Sequence, residues 1–161
     1  MQPDMSWFGV LEHHANRTPT KPLGVFGDDV VTYQGMADSA AALAAGLHAR
    51  GVGAGDVVGL LSYNSIEFLA TIFAANYLGA IAMPINWRLA AAELRYILEH
   101  SDARALVCDE ALVDLANEAT TDLEGALLRV CVSGRVDGWT ALAALRAEGN
   151  VPPRVDRKSV V

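Results

Sequence analysis

Residues 57–85 read VVGLLSYNSIEFLATIFAANYLGAIAMPI, and this stretch decides the fold. Val57–Leu61 is a continuous apolar run, as expected of a strand that is covered on both faces. The helix that follows is predicted to be capped by Asn64, with Glu67 reaching back to the cap as in a capping box. Ile81–Met83 is then a second strand. A strand, a helix and a further strand in this order predict parallel pairing through a helical crossover.

The segment before this unit predicts a helix, a hairpin and a second helix. The first helix is amphipathic, and its apolar face is predicted to contain Trp7, Phe8, Leu11 and Ala15. Two short strands, Leu23–Phe26 and Val30–Thr32, meet at the turn formed by Gly27-Asp28-Asp29. Thr32 is predicted to cap the next helix. The apolar stripe of that helix has helical spacing and consists of Met36, Ala40, Leu43 and Leu47.

The alternation of strand and helix continues after residue 85. Further helices are predicted at Ala91–His100, Glu110–Ala119 and Trp139–Ala147, and further strands at Ala105–Cys108 and Leu127–Val132. Residues 1–150 are therefore predicted to form an α/β domain with a mainly parallel sheet, helical crossovers on both faces and an N-terminal β-hairpin. Residues 151–161 are predicted to be a proline-rich, charged tail.

Composition excludes several classes of protein. The chain is 52% apolar and 19% charged, so it has enough apolar surface to bury and is not disordered by composition. A net charge of -7 repels phosphate backbones and anionic lipid, which argues against nucleic-acid and membrane-surface partners. Cys108 and Cys131 lie in apolar runs and are predicted to be buried, reduced thiols. With no secretory signal and no integral membrane segment predicted, we expect a cytoplasmic protein.

Glycine and lysine patterns argue against two common phosphate-binding loops. Gly51, Gly53 and Gly55 follow a helix and precede a strand, whereas a dinucleotide-binding loop follows a strand and opens a helix. These glycines are therefore predicted to end the helix and form a turn. The chain has only two lysines, Lys21 and Lys158, and neither follows a glycine-rich turn as a P-loop lysine does.

Serine, histidine and acidic side chains yield no predicted catalytic or metal-binding residue. Ser62 follows a strand at the edge where ligands tend to bind, but it lacks the second glycine of a nucleophile elbow. The histidines point apart or lie on separate predicted helices, at His13, His14, His48 and His100. The acidic residues of one predicted helix and its exit form a solvated face, at Asp114, Glu118, Asp122 and Glu124.

Three ordered segments resemble a known family. Val31-Thr32-Tyr33 opens a helix, and Gly51-Val52 leads through Gly55-Asp56-Val57-Val58 into a strand. The most specific segment runs from Asn64-Ser65 through Tyr77-Leu78-Gly79-Ala80 to Pro84-Ile85-Asn86-Trp87-Arg88-Leu89 and Glu93-Leu94. Together they are similar to the amino-terminal portion of AMP-forming acyl-CoA synthetases, the fatty-acid and aryl-acid:CoA ligases of the acyl-adenylate-forming superfamily. The resemblance covers roughly residues 6 to 132.

The resemblance implies a reaction, its cofactors and one site residue. Complete members of the family use ATP and Mg²⁺ to adenylate a carboxylic acid, and the thiol of CoA then displaces AMP. Arg88 matches an arginine that lies near a phosphate of CoA in the family, and a guanidinium suits a phosphate well. A surface ion pair or a helix cap is the alternative role for Arg88. Gly35 departs from the acidic residue that the family commonly has there, which removes half of a capping box.

The resemblance also predicts what this chain lacks. The family's Ser/Thr/Gly-rich ATP loop, its ribose-binding aspartate and its catalytic lysine would all follow the last residue here, so we expect the chain alone to be inactive. The alternative is a stand-alone degenerate relative that acts as a CoA or acyl-CoA binding or assembly module; a generic flavodoxin-like domain is a third reading. An incomplete parallel sheet would expose strand edges, so self-association is expected.

Overall fold

A computed structural model describes residues 5–121, 123 and 126–154. Asp122, Glu124 and most of the predicted tail, residues 155–161, lie outside the described residues. The helices are α1 (Trp7–Arg17), α2 (Tyr33–Ala49), α3 (Ile66–Leu78), α4 (Ala91–His100), α5 (Val113–Thr120) and α6 (Leu142–Arg146), with one 3-10 turn at Glu110–Leu112. The strands are β1 (Pro22–Phe26), β2 (Asp29–Thr32), β3 (Val57–Leu61), β4 (Ile81–Pro84), β5 (Ala103–Cys108), β6 (Leu128–Cys131) and β7 (Thr140–Ala141).

The strands form an antiparallel hairpin and a separate five-stranded sheet. β1 pairs with β2 in the hairpin, while the large sheet is parallel throughout and has the order β4-β3-β5-β6-β7. This arrangement confirms the predicted α/β class, its parallel sheet and its N-terminal hairpin. In the part of the chain that is described, no helix is both long enough and apolar enough to cross a membrane.

Helices cover both faces of the large sheet, as predicted. On one face, α2, α3 and α6 bury apolar side chains against the strands, among them Leu43, Leu47, Ala74, Leu78, Leu142 and Leu145. On the other face, α4 and α5 contribute Leu94, Leu98, Val113, Ala116 and Ala119. The central strands β3 and β5 are mostly buried between these layers, which explains why β3 reads as an unbroken apolar run.

Helix α2 contacts α6 closely at a glycine. A Cβ atom built on Gly46 would lie 1.9 Å from the carbonyl oxygen of Leu145. No side chain larger than hydrogen therefore fits there unless the two helices separate. Gly46 sets the distance at which α6 closes over this face of the sheet.

The amino-terminal elements pack beside α3 through a third apolar cluster. The predicted stripe of α2 is confirmed, because Met36, Ala40, Leu43 and Leu47 are all fully buried. Thr32 caps α2 as predicted, since its Oγ1 accepts a hydrogen bond from the Gly35 amide at 3.1 Å. The prediction for Trp7 is wrong: its side chain is 66% exposed, because it lies about 100° around α1 from the buried Phe8.

The start of α3 differs from the prediction by one residue. Ser65, not Asn64, is the N-cap, and its Oγ accepts a hydrogen bond from the Phe68 amide at 3.0 Å. With Ser65 as the cap, the third helical position is Phe68, so Glu67 is not placed to complete a capping box. Glu67 still lies in the first turn, where a carboxylate interacts favourably with the helix dipole.

The region predicted as a helix over Trp139–Ala147 begins as a strand. Thr140 and Ala141 pair with Val130 and Cys131 as the short β7, and α6 starts only at Leu142. Trp139 is buried and donates a hydrogen bond from Nε1 to Asn117 Oδ1 at 3.0 Å. A two-residue strand is too short to show the alternation by which strands are recognised in a sequence.

The chain after α6 returns to the amino-terminal helices. Tyr77 donates a hydrogen bond from its hydroxyl to the carbonyl of Pro152 at 2.9 Å, and Arg154 pairs with Glu12 at 2.6 Å. Closer to α6, Arg50 forms a two-pronged ion pair with Glu148, both N–O distances being 2.7 Å. The hydrogen bond from Arg50 holds the pKa of Glu148 below its usual value. These contacts tie the end of the described chain to α1, α2 and α3.

Candidate functional site

The carboxyl edge of the parallel sheet brings together residues that follow separate strands. Ser62 and Tyr63 follow β3, Trp87 and Arg88 lie on the loop after β4, and Asp109 follows β5. Because β3 pairs with both β4 and β5, these loops are neighbours. Ligands of open α/β sheets tend to bind at this edge, so we take it as the candidate site.

Ser62 has a structural environment at this edge. Its side chain is buried, and its Oγ donates a hydrogen bond to the Tyr63 carbonyl at 3.1 Å, with Asp109 Oδ2 at 3.5 Å. A nucleophilic serine needs a base that accepts its proton, usually a histidine. No histidine is a hydrogen-bond partner of Ser62 among the residues described here. This environment agrees with the prediction that Ser62 is a turn residue.

Two side chains order the loop between β4 and α4. The Asn86 Oδ1 accepts a hydrogen bond from the Arg88 amide at 3.1 Å, which fixes the backbone of the loop locally. The Glu93 carboxylate accepts a hydrogen bond from the Ala90 amide at 2.8 Å and so satisfies the start of α4. Arg88 therefore does not cap this helix. Within the described ranges, Arg88 also forms no ion pair.

The Arg88 side chain is exposed and lies over the ring of the neighbouring tryptophan. Its guanidinium carbon lies 4.4 Å from the centroid of the Trp87 ring, within the range of a cation–π contact. Trp87 in turn meets Tyr63 edge to face, with ring centroids 5.1 Å apart and an interplanar angle of 68°. The three side chains Tyr63, Trp87 and Arg88 are called the aromatic–arginine cluster below. The cluster joins the loops that follow two neighbouring strands.

Sequence reasoning selected Arg88 but missed its two aromatic neighbours. Tyr63 and Trp87 are partly exposed, at 40% and 37%, although large aromatic side chains are usually buried. A signal was present, because each residue lies within four positions of the end of a predicted strand, and the two strands are joined by one crossover. Adjacent parallel strands end at the same edge, so aromatic residues just beyond both ends meet.

The two cysteines lie opposite each other on neighbouring strands. Cys108 and Cys131 are in register on β5 and β6, and both are fully buried free thiols. Burial raises the pKa of Cys108 to about 12, and it also raises the pKa of Cys131. Both groups are therefore protonated at neutral pH and unreactive, since the thiolate is the nucleophile. The prediction of buried, reduced thiols is confirmed for this structure.

Described residues offer no evident site for Mg²⁺ or for ATP phosphates. Within the described ranges, no group of three or more His, Cys, Asp or Glu side chains converges on a possible metal position. Asp114 and Glu118 are exposed on α5, and Lys21 is exposed just before β1. The described residues thus show no cluster of carboxylates of the kind that holds Mg²⁺ in phosphoryl-transfer sites.

Comparison with known proteins identifies the family. AMP-binding enzymes match residues 11–159. An indoleacetate–CoA ligase from Aromatoleum aromaticum is 34% identical over 148 residues, which cover 89% of this chain and 28% of that protein. The N-terminal domain of FACL13 from Mycobacterium tuberculosis is 28% identical with a TM-score of 0.77, and the match covers 98% of this chain and 39% of that one.

A solved anthranilate CoA ligase in complex with anthranoyl-AMP shares the fold. Its TM-score is 0.88 at 24% identity, and the match covers 98% of this chain and 30% of that one. The chain thus spans less than a third of the length of the two ligases, and it corresponds to part of the N-terminal domain of adenylate-forming enzymes. On the match over residues 11–159, this chain belongs to the family of AMP-binding enzymes.

Proposed function

We propose that this chain is the amino-terminal segment of a cytoplasmic, ATP-dependent acid:CoA ligase. The observation that carries the proposal is the family match over residues 11–159, supported by the ligase relatives. In the reaction, a carboxylate oxygen attacks the α-phosphorus of ATP and pyrophosphate leaves. The CoA thiolate then attacks the acyl carbon, and AMP leaves with the bonding electrons. ATP, Mg²⁺ and CoA are thus the cofactors and substrates of the complete enzyme.

Within that reaction, Arg88 is proposed to bind a phosphate of CoA. Its guanidinium is exposed at the carboxyl edge of the sheet, where ligands of such folds bind. It pairs with no carboxylate within the described ranges, so its in-plane N–H groups are available to two oxygens of one phosphate. Bidentate contacts of this kind are stronger than ordinary hydrogen bonds because both partners are charged. The chain as a whole carries a charge of -7, so a local cation is needed to hold an anionic ligand.

CoA is expected to raise the melting temperature of the chain, and Arg88→Ala is expected to remove most of the increase. At ten times its Kd, a ligand stabilises the folded state by about 1.4 kcal/mol. For a domain of this size that corresponds to roughly 3–6 °C. Differential scanning fluorimetry over a CoA titration measures the increase. Arg17→Ala, at an exposed arginine at the end of α1, is the matched control and should respond like the wild type.

An equal increase in the wild type and in Arg88→Ala would refute the role given to Arg88. No increase in the wild type would show that CoA does not bind to this segment. A response that Arg17→Ala loses as fully as Arg88→Ala would show that overall charge, and not the position of Arg88, governs binding.

The chain alone is proposed to form no acyl-adenylate. Adenylation builds charge on phosphate, and without positioned cations and Mg²⁺ the barrier rises by several kcal/mol. The purified chain would be incubated with ATP, Mg²⁺ and a panel of aromatic, hydroxy and fatty acids, because ligases for indoleacetate, 4-hydroxybutyrate and medium- or long-chain fatty acids are among its relatives. Mass spectrometry should detect no acyl-AMP, and a complete ligase serves as the positive control. Acyl-AMP from the chain alone would overturn this part of the proposal.

A second candidate function is a CoA-binding or assembly module. It is favoured by exposed apolar side chains on the edge strand β4 and on α1, since Ile81 is 54% exposed and Trp7 is 66% exposed. Such surfaces promote self-association, which light scattering at tens of micromolar would detect. A reading frame that continues into a Ser/Thr/Gly-rich loop ending in Pro-Lys-Gly would favour the ligase segment over the module.

A further inference from the structure

The aromatic–arginine cluster restricts a side chain that is otherwise free to move. An exposed arginine has many rotamers, and ordering it on binding a ligand costs conformational entropy. In this chain, the Arg88 guanidinium already rests on the Trp87 ring, 4.4 Å from its centroid. The contact therefore selects a subset of Arg88 conformations before any ligand arrives.

A tryptophan beneath a guanidinium can hold the cation without blocking its binding groups. A guanidinium is planar, so it stacks through its face, whereas its N–H donors lie in its plane and point outward from its edge. Trp87 can thus hold the face of the cation while the edge remains available to phosphate oxygens. The ring attracts the cation without neutralising its charge, because the attraction comes from the quadrupole of the indole. A carboxylate partner would position Arg88 too, but it would compete with the phosphate.

Trp87 is itself supported from the neighbouring strand. Tyr63, on the loop after β3, contacts the Trp87 ring edge to face at 5.1 Å. The Asn86 side chain accepts a hydrogen bond from the Arg88 amide and so fixes the backbone on either side of Trp87. Support thus comes from two loops that β3 and β4 hold at one edge of the sheet. The partial exposure of both rings, which a purely structural pair would not need, agrees with this role.

We propose that Trp87 is a positioning residue for phosphate binding by Arg88. The proposal rests on the proposed function, because it presumes that Arg88 binds a phosphate of CoA. Trp87 acts through the arginine and does not itself contact the phosphate. Replacing it should weaken CoA binding by raising the entropic cost of ordering Arg88, and it should leave the charge of the site unchanged.

A double-mutant cycle tests this role. CoA affinity would be measured by isothermal titration calorimetry for the wild type, Trp87→Leu, Trp87→Phe, Arg88→Ala and the double variant Trp87→Leu/Arg88→Ala. Trp87→Leu is expected to weaken binding about two- to fivefold, the factor that corresponds to an exposed cation–π contact. Trp87→Phe should retain most of the affinity, because phenylalanine offers a similar face. In the Arg88→Ala background, Trp87→Leu should cause no further loss.

The other outcomes separate this proposal from the proposed function. Failure of the wild type to bind CoA, or unchanged affinity in Arg88→Ala, would overturn both. Loss in Arg88→Ala together with unchanged affinity in Trp87→Leu would overturn only the positioning role. So would an equal loss from Trp87→Leu in both backgrounds, which would show that Trp87 contacts CoA directly or acts through the fold. Without CoA, the melting temperatures of the variants should agree with that of the wild type. Tyr63→Leu is an independent variant: it removes the ring that supports Trp87, and it should also weaken CoA binding.

Discussion

Gly46→Ala is expected to lower the free energy of unfolding by about 2 kcal/mol or more. The new Cβ would lie 1.9 Å from the Leu145 carbonyl oxygen and 2.7 Å from its carbon, and these are backbone atoms that no rotamer change can move. Alanine is the better helix former by about 1 kcal/mol, which opposes the clash. Overpacking of this kind typically costs 1–3 kcal/mol, occasionally more, and separating α6 from α2 would also expose Leu142 and Leu145. Urea unfolding followed by circular dichroism measures the change.

Gly35→Ala is the matched control in the same helix. Its Cβ would meet Thr32 Oγ1, the oxygen that caps α2, at 3.2 Å, and a shift of a few tenths of an ångström relieves the contact at the cost of weakening that hydrogen bond. We therefore expect a change within about 0.5 kcal/mol or a slight gain, since alanine is the better helix former. If Gly46→Ala proved as stable as Gly35→Ala, the close approach of α2 and α6 described here would be wrong.

Leu98→Ala is expected to destabilise the chain by about 2–5 kcal/mol. Its side chain is only 1% exposed, and it packs between α4 and the sheet, where it fills the space above Gly59. Removal of such a side chain loses its transfer free energy and leaves a cavity that the rigid sheet cannot close. The free energy of unfolding from urea titrations, read by tryptophan fluorescence and by circular dichroism, gives the effect.

Tyr96→Ala, two residues earlier in the same helix, is the control for Leu98→Ala. It shows how much of the loss in stability comes from burial of the side chain and how much from the helix propensity of the new alanine. Tyr96 is 63% exposed and stacks on the His100 ring, so its removal should cost less than about 0.5 kcal/mol. Comparable losses at positions 96 and 98 would show that α4 does not present the face described here to the sheet.

The long, strongly patterned elements could be predicted because their signals reinforce one another. β3 is an unbroken apolar run, and the stripe from Met36 to Leu47 repeats at helical spacing, so both were found. The short β7 was missed, since its two residues are held by pairing with β6 and have no local pattern. The cap of α3 was misplaced by one residue because Asn64 and Ser65 are both good caps, and backbone geometry alone decides between them.

The candidate site was predictable in part. Motif resemblance led to Arg88, and strand order places it at the carboxyl edge of the sheet. The contact of Trp87 with Tyr63 could not be derived from the sequence, because it depends on which strands are neighbours and on how two rings orient after they meet. The role of Arg88 toward CoA remains a proposal that the melting experiments above address.

The strand order of the large sheet also bears on how the chain assembles during synthesis. In the order β4-β3-β5-β6-β7, β3 is made first, and each later strand joins a free edge of the strands already present. No strand has to insert between two that are already paired. A nascent chain leaving the ribosome can therefore build the sheet outward from β3 in the order of translation, whereas α2 gains its cover from α6 only when the last of these elements has been made.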